Sequence, residues 1–202
     1  MLSAFTSRSK TNVPMKKYSI EKKEKLANTI IYFAEKIPHI SKTKLIKLLY
    51  LLEEFYVKKY NIPFLDIDFE VWQAGPVNRE TYIELSDKPI VLKGYIERYS
   101  EGDNIHIKPI KKFSDDEFSD NEIEMMDFVV THFKNKNAKE LVDYVHRPGS
   151  AWHNIAKQTG LLPLFESHSI NSSEEKINFE FFCESDEGVS QFREQKMFNS
   201  LV

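Results

Sequence analysis

Ser41-Lys42-Thr43-Lys44-Leu45-Ile46-Lys47-Leu48-Leu49-Tyr50-Leu51-Leu52-Glu53-Glu54-Phe55-Tyr56 is the stretch on which the reading of the fold turns. Leu45, Leu48, Leu49, Leu52, Phe55 and Tyr56 recur every three or four residues, which gathers them on the buried face of a helix. Lys42, Lys44, Lys47, Glu53, Glu54, Lys58 and Lys59 are expected on the opposite, solvated face. Ser41 is suited to cap the start, and Asn61 and Pro63 mark the end.

Upstream, Ser19 caps a helix to about Ile37, with Leu26, Ile30, Phe33, Ala34 and Ile37 as its apolar stripe and Pro38 as its stop. Downstream, the period changes to two. Leu65, Ile67, Phe69 and Val71 alternate with Asp66, Asp68 and Glu70, which predicts a half-buried strand with the acids facing outward. Gly75-Pro76 breaks it, with Pro76 expected in the first turn of a short helix through Tyr82 and Leu85. Residues 94–110 read as a hairpin around Glu101-Gly102-Asp103-Asn104, with Pro109 directing its second arm to a sheet edge. Ser119 to Glu122 is a capping box that opens a further helix. Asn137 to Glu140 repeats that logic, and Ser150 caps a helix carrying Trp152 and Ile155. Residues 174–184 fit helix or strand, and 186–200 fit a terminal helix.

The expected fold class is therefore mainly α: a single helical domain with a small antiparallel β-sheet built from residues 65–72, 94–99 and 104–110. Three parts are expected: a flexible basic arm over 1–18, a helical domain over 19–165, and a C-terminal extension over 166–202, partly helical and packed on the domain.

Bulk numbers narrow the function classes. The 202 residues include 41% hydrophobic and 29% charged side chains, enough for a packed core and near the globular average. A net charge of −3 lacks the basic excess of a protein that grips many phosphates, so a nucleic-acid partner is not expected. Charge is uneven: residues 1–25 carry a net +5 and residues 171–202 a net −4. One cysteine, Cys183, excludes an internal disulfide. No apolar run reaches the roughly 18 residues that span a bilayer, and no secretion signal is recognised. The expectation is a cytoplasmic protein with no membrane contact.

Catalytic signatures are absent from the sequence: no glycine-rich phosphate loop, CxxC, HExxH or GxSxG. Cys183 lies among Glu180, Glu184, Asp186 and Glu187, a field that raises a thiol pKa and blunts a nucleophile. His146 and His153 flank a tight Arg-Pro-Gly turn, but two ligands make a poor metal site. Asp66, Asp68 and Glu70 share a strand face, which solvation explains more simply than a cation. No enzyme activity and no cofactor are expected.

Two segments ask for a reason. Glu70-Val71-Trp72-Gln73-Ala74-Gly75-Pro76-Val77 sets a large ring just before a Gly-Pro turn; Trp72 reads either as core or as half of an interface hot spot. Ala138 to Trp152 pinches two short helices around Pro148-Gly149, which reads either as a helical hairpin that closes the core or as part of a functional surface.

These segments also carry a resemblance. Lys44-Leu45-Ile46-Lys47-Leu48-Leu49-Tyr50 resembles the Lys-Leu-x-Lys-Leu-Leu-Tyr helix of the Panacea domain, the domain of SocA-like antitoxins. Phe69 to Val77, with Tyr82 following, is similar to that family's Ala-Trp-x-x-Gly-Pro-Val…Tyr segment. Ala138-Lys139-Glu140-Leu141, His146 and Ala151-Trp152 resemble its Ala-x-Glu-Leu…Thr-His…Trp ending. The three blocks span about residues 20 to 165; Ala74 stands where the family usually has an aromatic, and Val145 where Thr commonly precedes His. The resemblance implies an antitoxin of a two-gene toxin–antitoxin system, often associated with prophage, that neutralises a cognate protein toxin by direct contact, without a cofactor. Three further readings remain open: an adaptor delivering its partner to a protease, a DNA-binding regulator, and a hydrolase using Asp66 or His146. The acids of the helices after Ser119 count against DNA. For the antitoxin, the expected toxin-binding residues are Asp68, Trp72, Gln73, Gly75, Pro76, Val77, Asn78 and Tyr82, with Gln73 and Asn78 exposed and an acidic rim that steers a basic toxin.

Overall fold

A computed structural model describes residues 19–86 and 89–201; the basic arm expected over 1–18 lies outside the described residues. Helices dominate, as the period of 3.6 predicts, with two small antiparallel ribbons. The first helix, α1 (Ile20–Lys36), starts where the Ser19 hydroxyl accepts the Lys22 backbone N–H. The second, α2 (Lys42–Tyr60), is capped likewise by Ser41 on Lys44 N–H and ends at Asn61 in the left-handed conformation, φ 53°. A tight ribbon follows, β1 (Glu70–Trp72) and β2 (Gly75–Val77), then α3 (Arg79–Ser86). The second ribbon is β3 (Ile96–Glu101) and β4 (Asn104–Pro109). Four helices complete the middle of the chain: α4 (Asp120–Phe133), α5 (Ala138–Val145), α6 (Ala151–Gln158) and α7 (Leu161–Glu166). A 3₁₀ turn (Phe179–Phe182) and α8 (Asp186–Leu201) end it.

The core sits around α2, which touches α1, α3, α4, α5, β2, β4 and the 3₁₀ turn. Leu45, Leu48, Leu51 and Leu52 are fully buried, and each such leucine contributes about 2 kcal/mol. The middle of α2 is thus packed all round, which corrects the expected solvated face there: Lys44, Lys47, Glu53 and Glu54 are buried, while Lys58 and Lys59 near the end are exposed as expected and Lys42 at the start is half-buried. Buried charge is tolerated only where it is bonded. Lys44 Nζ donates to the Lys134 carbonyl at 2.5 Å, at the end of α4. Glu53 accepts the backbone N–H groups of Phe64 and Leu65 at 3.1 and 2.8 Å. Glu54 meets Lys58 at 2.5 Å and Arg147 at 3.3 Å. From α3, buried Glu84 does the same for the next loop, accepting from Ile90 and Leu92 N–H at 2.9 and 3.0 Å. The polar residues of α2 thus hold loops and neighbouring segments against the central helix.

The expected single sheet is also corrected. β1 pairs with β2, Glu70 with Val77 and Trp72 with Gly75, while β3 pairs only with β4. The outer edge of β4 is taken at the α1–α2 corner, where Ile107 N–H donates to the Ile40 carbonyl at 3.0 Å and Ser41 bridges His106. Residues 65–69 keep the alternation in burial, with Leu65, Ile67, Phe69 and Val71 inside. They are not a regular strand: Asp66 turns into the left-handed region at φ 52°. Residues 69–73, through β1, are flanked instead by residues 171–177, through Val71 N–H to Glu175 O (2.8 Å), Gln73 N–H to Asn171 O (3.0 Å) and Ile177 N–H to Phe69 O (2.8 Å). Pro76 lies in β2 rather than in the first turn of α3.

Candidate functional site

The β1–β2 ribbon is gripped from three directions. From below, the Lys47 ammonium, 1% exposed, donates to the Pro76 carbonyl at 2.8 Å. Burial alone lowers its pKa to about 7. From one side, Trp152 Nε1 donates to the Trp72 carbonyl at 2.8 Å. From the other, Gln73 Nε2 donates to the Phe165 carbonyl at 2.7 Å and lies 2.6 Å from His168 Nδ1. The turn itself depends on Gly75: its φ is +92°, and a Cβ there would stand 2.8 Å from Val145 Cγ2 and 3.1 Å from Lys47 Cε. Only glycine combines that dihedral with that approach.

His146 ends α5 beside this turn. Its ring stacks on Trp152 at 3.7 Å and 19°, and its Nε2 is buried without a hydrogen-bond partner among the described residues. Burial, then the Lys47 charge, lowers its pKa to about 4, so the imidazole is neutral at pH 7 and packs as an aromatic ring. Among the described residues no group of three His, Cys, Asp or Glu is arranged to hold a metal ion. Burial and Glu180 raise the Cys183 thiol, as its acidic neighbourhood predicts.

Beside the ribbon lies a cleft of about 280 Å³ between the start of α2, the ribbon and α3, walled by Lys42, Ile46, Trp72, Val77, Tyr82 and Asn171. Trp72 and Tyr82 are half-buried, their ring centroids 5.0 Å apart. Lys42 Nζ sits 4.1 Å above the Tyr82 ring and donates to Ser86 Oγ at 3.0 Å.

The expected site residues divide accordingly. Trp72, Gln73, Val77 and Tyr82 line the cleft. Gly75 and Pro76 are buried supports. Asn78, expected exposed, is 5% exposed; its Oδ1 accepts Thr81 N–H at 2.8 Å to start α3, and its Nδ2 donates to the Asp68 carbonyl at 2.8 Å. Asp68 does not line the cleft: it pairs with Lys176 at 2.6 Å and Lys196 at 3.9 Å. Asp66 is likewise held by Lys22 and Lys196 at 3.2 and 3.3 Å, and Glu70 accepts from Trp72 Nε1 at 2.8 Å. Lysines from both ends of the described chain thus pair with Asp66 and Asp68, and the Trp72 indole holds Glu70. The attraction of these acids for a basic partner is correspondingly small. Sequence reasoning missed Lys42, Lys47 and Ile46 as site residues, because α2 was read as two-faced. The Lys44-Leu45-Ile46-Lys47 spacing inside the Panacea-like block is the available signal for Ile46 and Lys47; nothing in the sequence singles out Lys42.

The family model described as antitoxin SocA-like, Panacea domain, matches residues 45–153, just over half of the chain. The matched span runs from α2 into α6 and holds Lys47, both strands of the first ribbon, His146 and Trp152. No curated protein and no solved structure matches the chain significantly. Among the described residues no helix is long and apolar enough to cross a membrane.

Proposed function

We propose, from the premise that this chain belongs to the SocA-like antitoxin family with a Panacea domain, that it neutralises a protein toxin by direct contact at the first ribbon and its cleft. The observation that carries the reading is the ribbon's grip. Lys47, Trp152 and Gln73 each tie it by one hydrogen bond to a different element, while Ala74 at its tip is exposed and Trp72 and Tyr82 stay half-open beside it. A loop held rigid by its scaffold presents contacts at small entropic cost, and partly open aromatics are the side chains in which interfaces concentrate binding energy. In this reading residues 19–165 form the family's working unit, and 166–202 serve as an extension that lends residues 171–177 to the ribbon's edge.

The test is genetic and direct. The product of the reading frame beside this gene is expressed alone and together with the chain. Growth arrest by the first, relieved by co-expression and accompanied by a co-purifying complex, supports the proposal. Arrest that persists, or relief with no complex, sinks it.

A further inference from the structure

Two lysines and no carboxylate occur among the described residues that line the cleft. Lys47 is buried at its floor, with one of its three ammonium protons committed to Pro76 O. Lys42 stands at its mouth over the Tyr82 ring, bonded to a neutral hydroxyl and without a carboxylate partner among the described residues. Lys23, Lys36, Lys59 and Lys111 also lie over aromatic rings without an acid within 4 Å among the described residues; what sets Lys42 apart is that its ring, that of Tyr82, lines a cleft with a second lysine in it. Between the two cations run the half-buried faces of Trp72 and Tyr82 and the apolar side chains of Ile46 and Val77. Glu70, on the ribbon beside Trp72, is committed to the Trp72 indole N–H.

We propose that the cleft takes a carboxylate-bearing, aromatic or aliphatic segment of the partner protein: an acidic side chain at Lys42 with an apolar neighbour lodged between Trp72 and Tyr82. The anion completes a charge pair at the mouth, and its neighbour covers aromatic surface that is otherwise half open. A basic occupant would face the Lys42 and Lys47 charges instead. The proposal rests on the ribbon reading above for the statement that a protein fills the cleft, but the cleft's chemical preference is measurable on this chain alone.

The experiment uses the isotopically labelled full chain and follows the Trp72 indole N–H and the Thr43 amide by NMR. The probes are 3-phenylpropionate, its neutral analogue 3-phenylpropionamide, and inorganic phosphate. Saturable shifts at both reporters are expected with the carboxylate, at an affinity about tenfold above that of the amide, since a charge-assisted contact is worth about that factor. Lys42→Glu should abolish that preference, while Lys196→Glu, on the Asp66–Asp68 side, should keep it. If Lys42→Glu fails to fold, Lys42→Gln serves, with melting checked first. Equal response to acid and amide, no response to either, or a preference retained in the Lys42 variant overturns the proposal. The same shifts with phosphate alone would overturn it in favour of a plain anion site. A failed titration leaves the neutralisation assay untouched, and a failed neutralisation leaves the titration standing, so the two proposals fail separately.

Discussion

Lys47 Nζ lies 2.8 Å from the carbonyl oxygen of Pro76, so the middle of the central helix holds the turn of the first ribbon directly.

Gly75→Ala should loosen or displace the ribbon. The substitution strains a backbone at φ +92° and drives a methyl group to 2.8 Å from Val145 Cγ2. Strain and overpacking together cost at least about 2 kcal/mol, or about 4–8 °C in Tm for a chain of this size. Thermal melting checks it; an unchanged Tm would mean that the turn adapts freely and that the grip described here is loose.

Stability should bend with pH in two opposite limbs. Glu53 is raised to about 7, chiefly by burial, so between roughly pH 4.5 and 7 the unfolded state sheds a proton that the folded state keeps, and stability falls as pH rises. Lys47 is lowered to about 7, so above pH 7 the unfolded state holds the extra proton until about 10.5, and stability rises. His146, lowered to about 4, favours folding as pH rises from about 4 to 6.5 and partly offsets the Glu53 limb. Denaturant titrations from pH 5 to 10 check this. Lys47→Met should flatten the alkaline limb and Glu53→Gln the acidic one.

Glu53→Ala should destabilise far more than a typical surface change. It strands the Phe64 and Leu65 N–H groups, and each buried donor without a partner costs about 1–3 kcal/mol. Chemical denaturation against Lys139→Ala, an exposed i,i+4 pair with Asp143 worth at most about 0.5 kcal/mol, separates the two cases.

Much of this architecture is legible locally. Ser19, Ser41, Asn137 and Ser150 each cap the helix that their position predicts. Asn61 takes the left-handed end, and the ribbon at 96–109 turns where glycine is available. These are signals carried by neighbours in sequence. The burial of Lys47 and Glu53 is not local: it follows from how many elements pack around α2, and a helical period cannot count them. The pairing of residues 171–177 along β1 joins segments about a hundred residues apart, and 171–177 has no alternation to announce it. Asp66 and Asp68 looked solvated for the same reason, since their lysine partners lie at positions 22, 176 and 196. Asn78 is locally legible as a helix cap, since its Oδ1 accepts Thr81 N–H, and that role draws it inward, against the expectation that it is exposed.

Trp152→Phe should keep the stack on His146 while removing the N–H donated to Trp72 O. Global stability then falls by about 1 kcal/mol, and amide exchange should quicken at residues 71–77 before it does in α2. Exchange that quickens evenly over the chain would show that the ribbon does not move as a unit.

The ribbon and its cleft are the proposed partner-binding surface. Ala74→Arg at the exposed tip and Lys42→Glu at the cleft mouth probe it without touching the core. The decisive measurement is toxin neutralisation by each variant, with Tm determined in parallel. Neutralisation lost at unchanged Tm is the predicted result. Full neutralisation by both variants at unchanged Tm would contradict the account and move the interface away from the ribbon, with the Arg147–Trp152 turn the next surface to test.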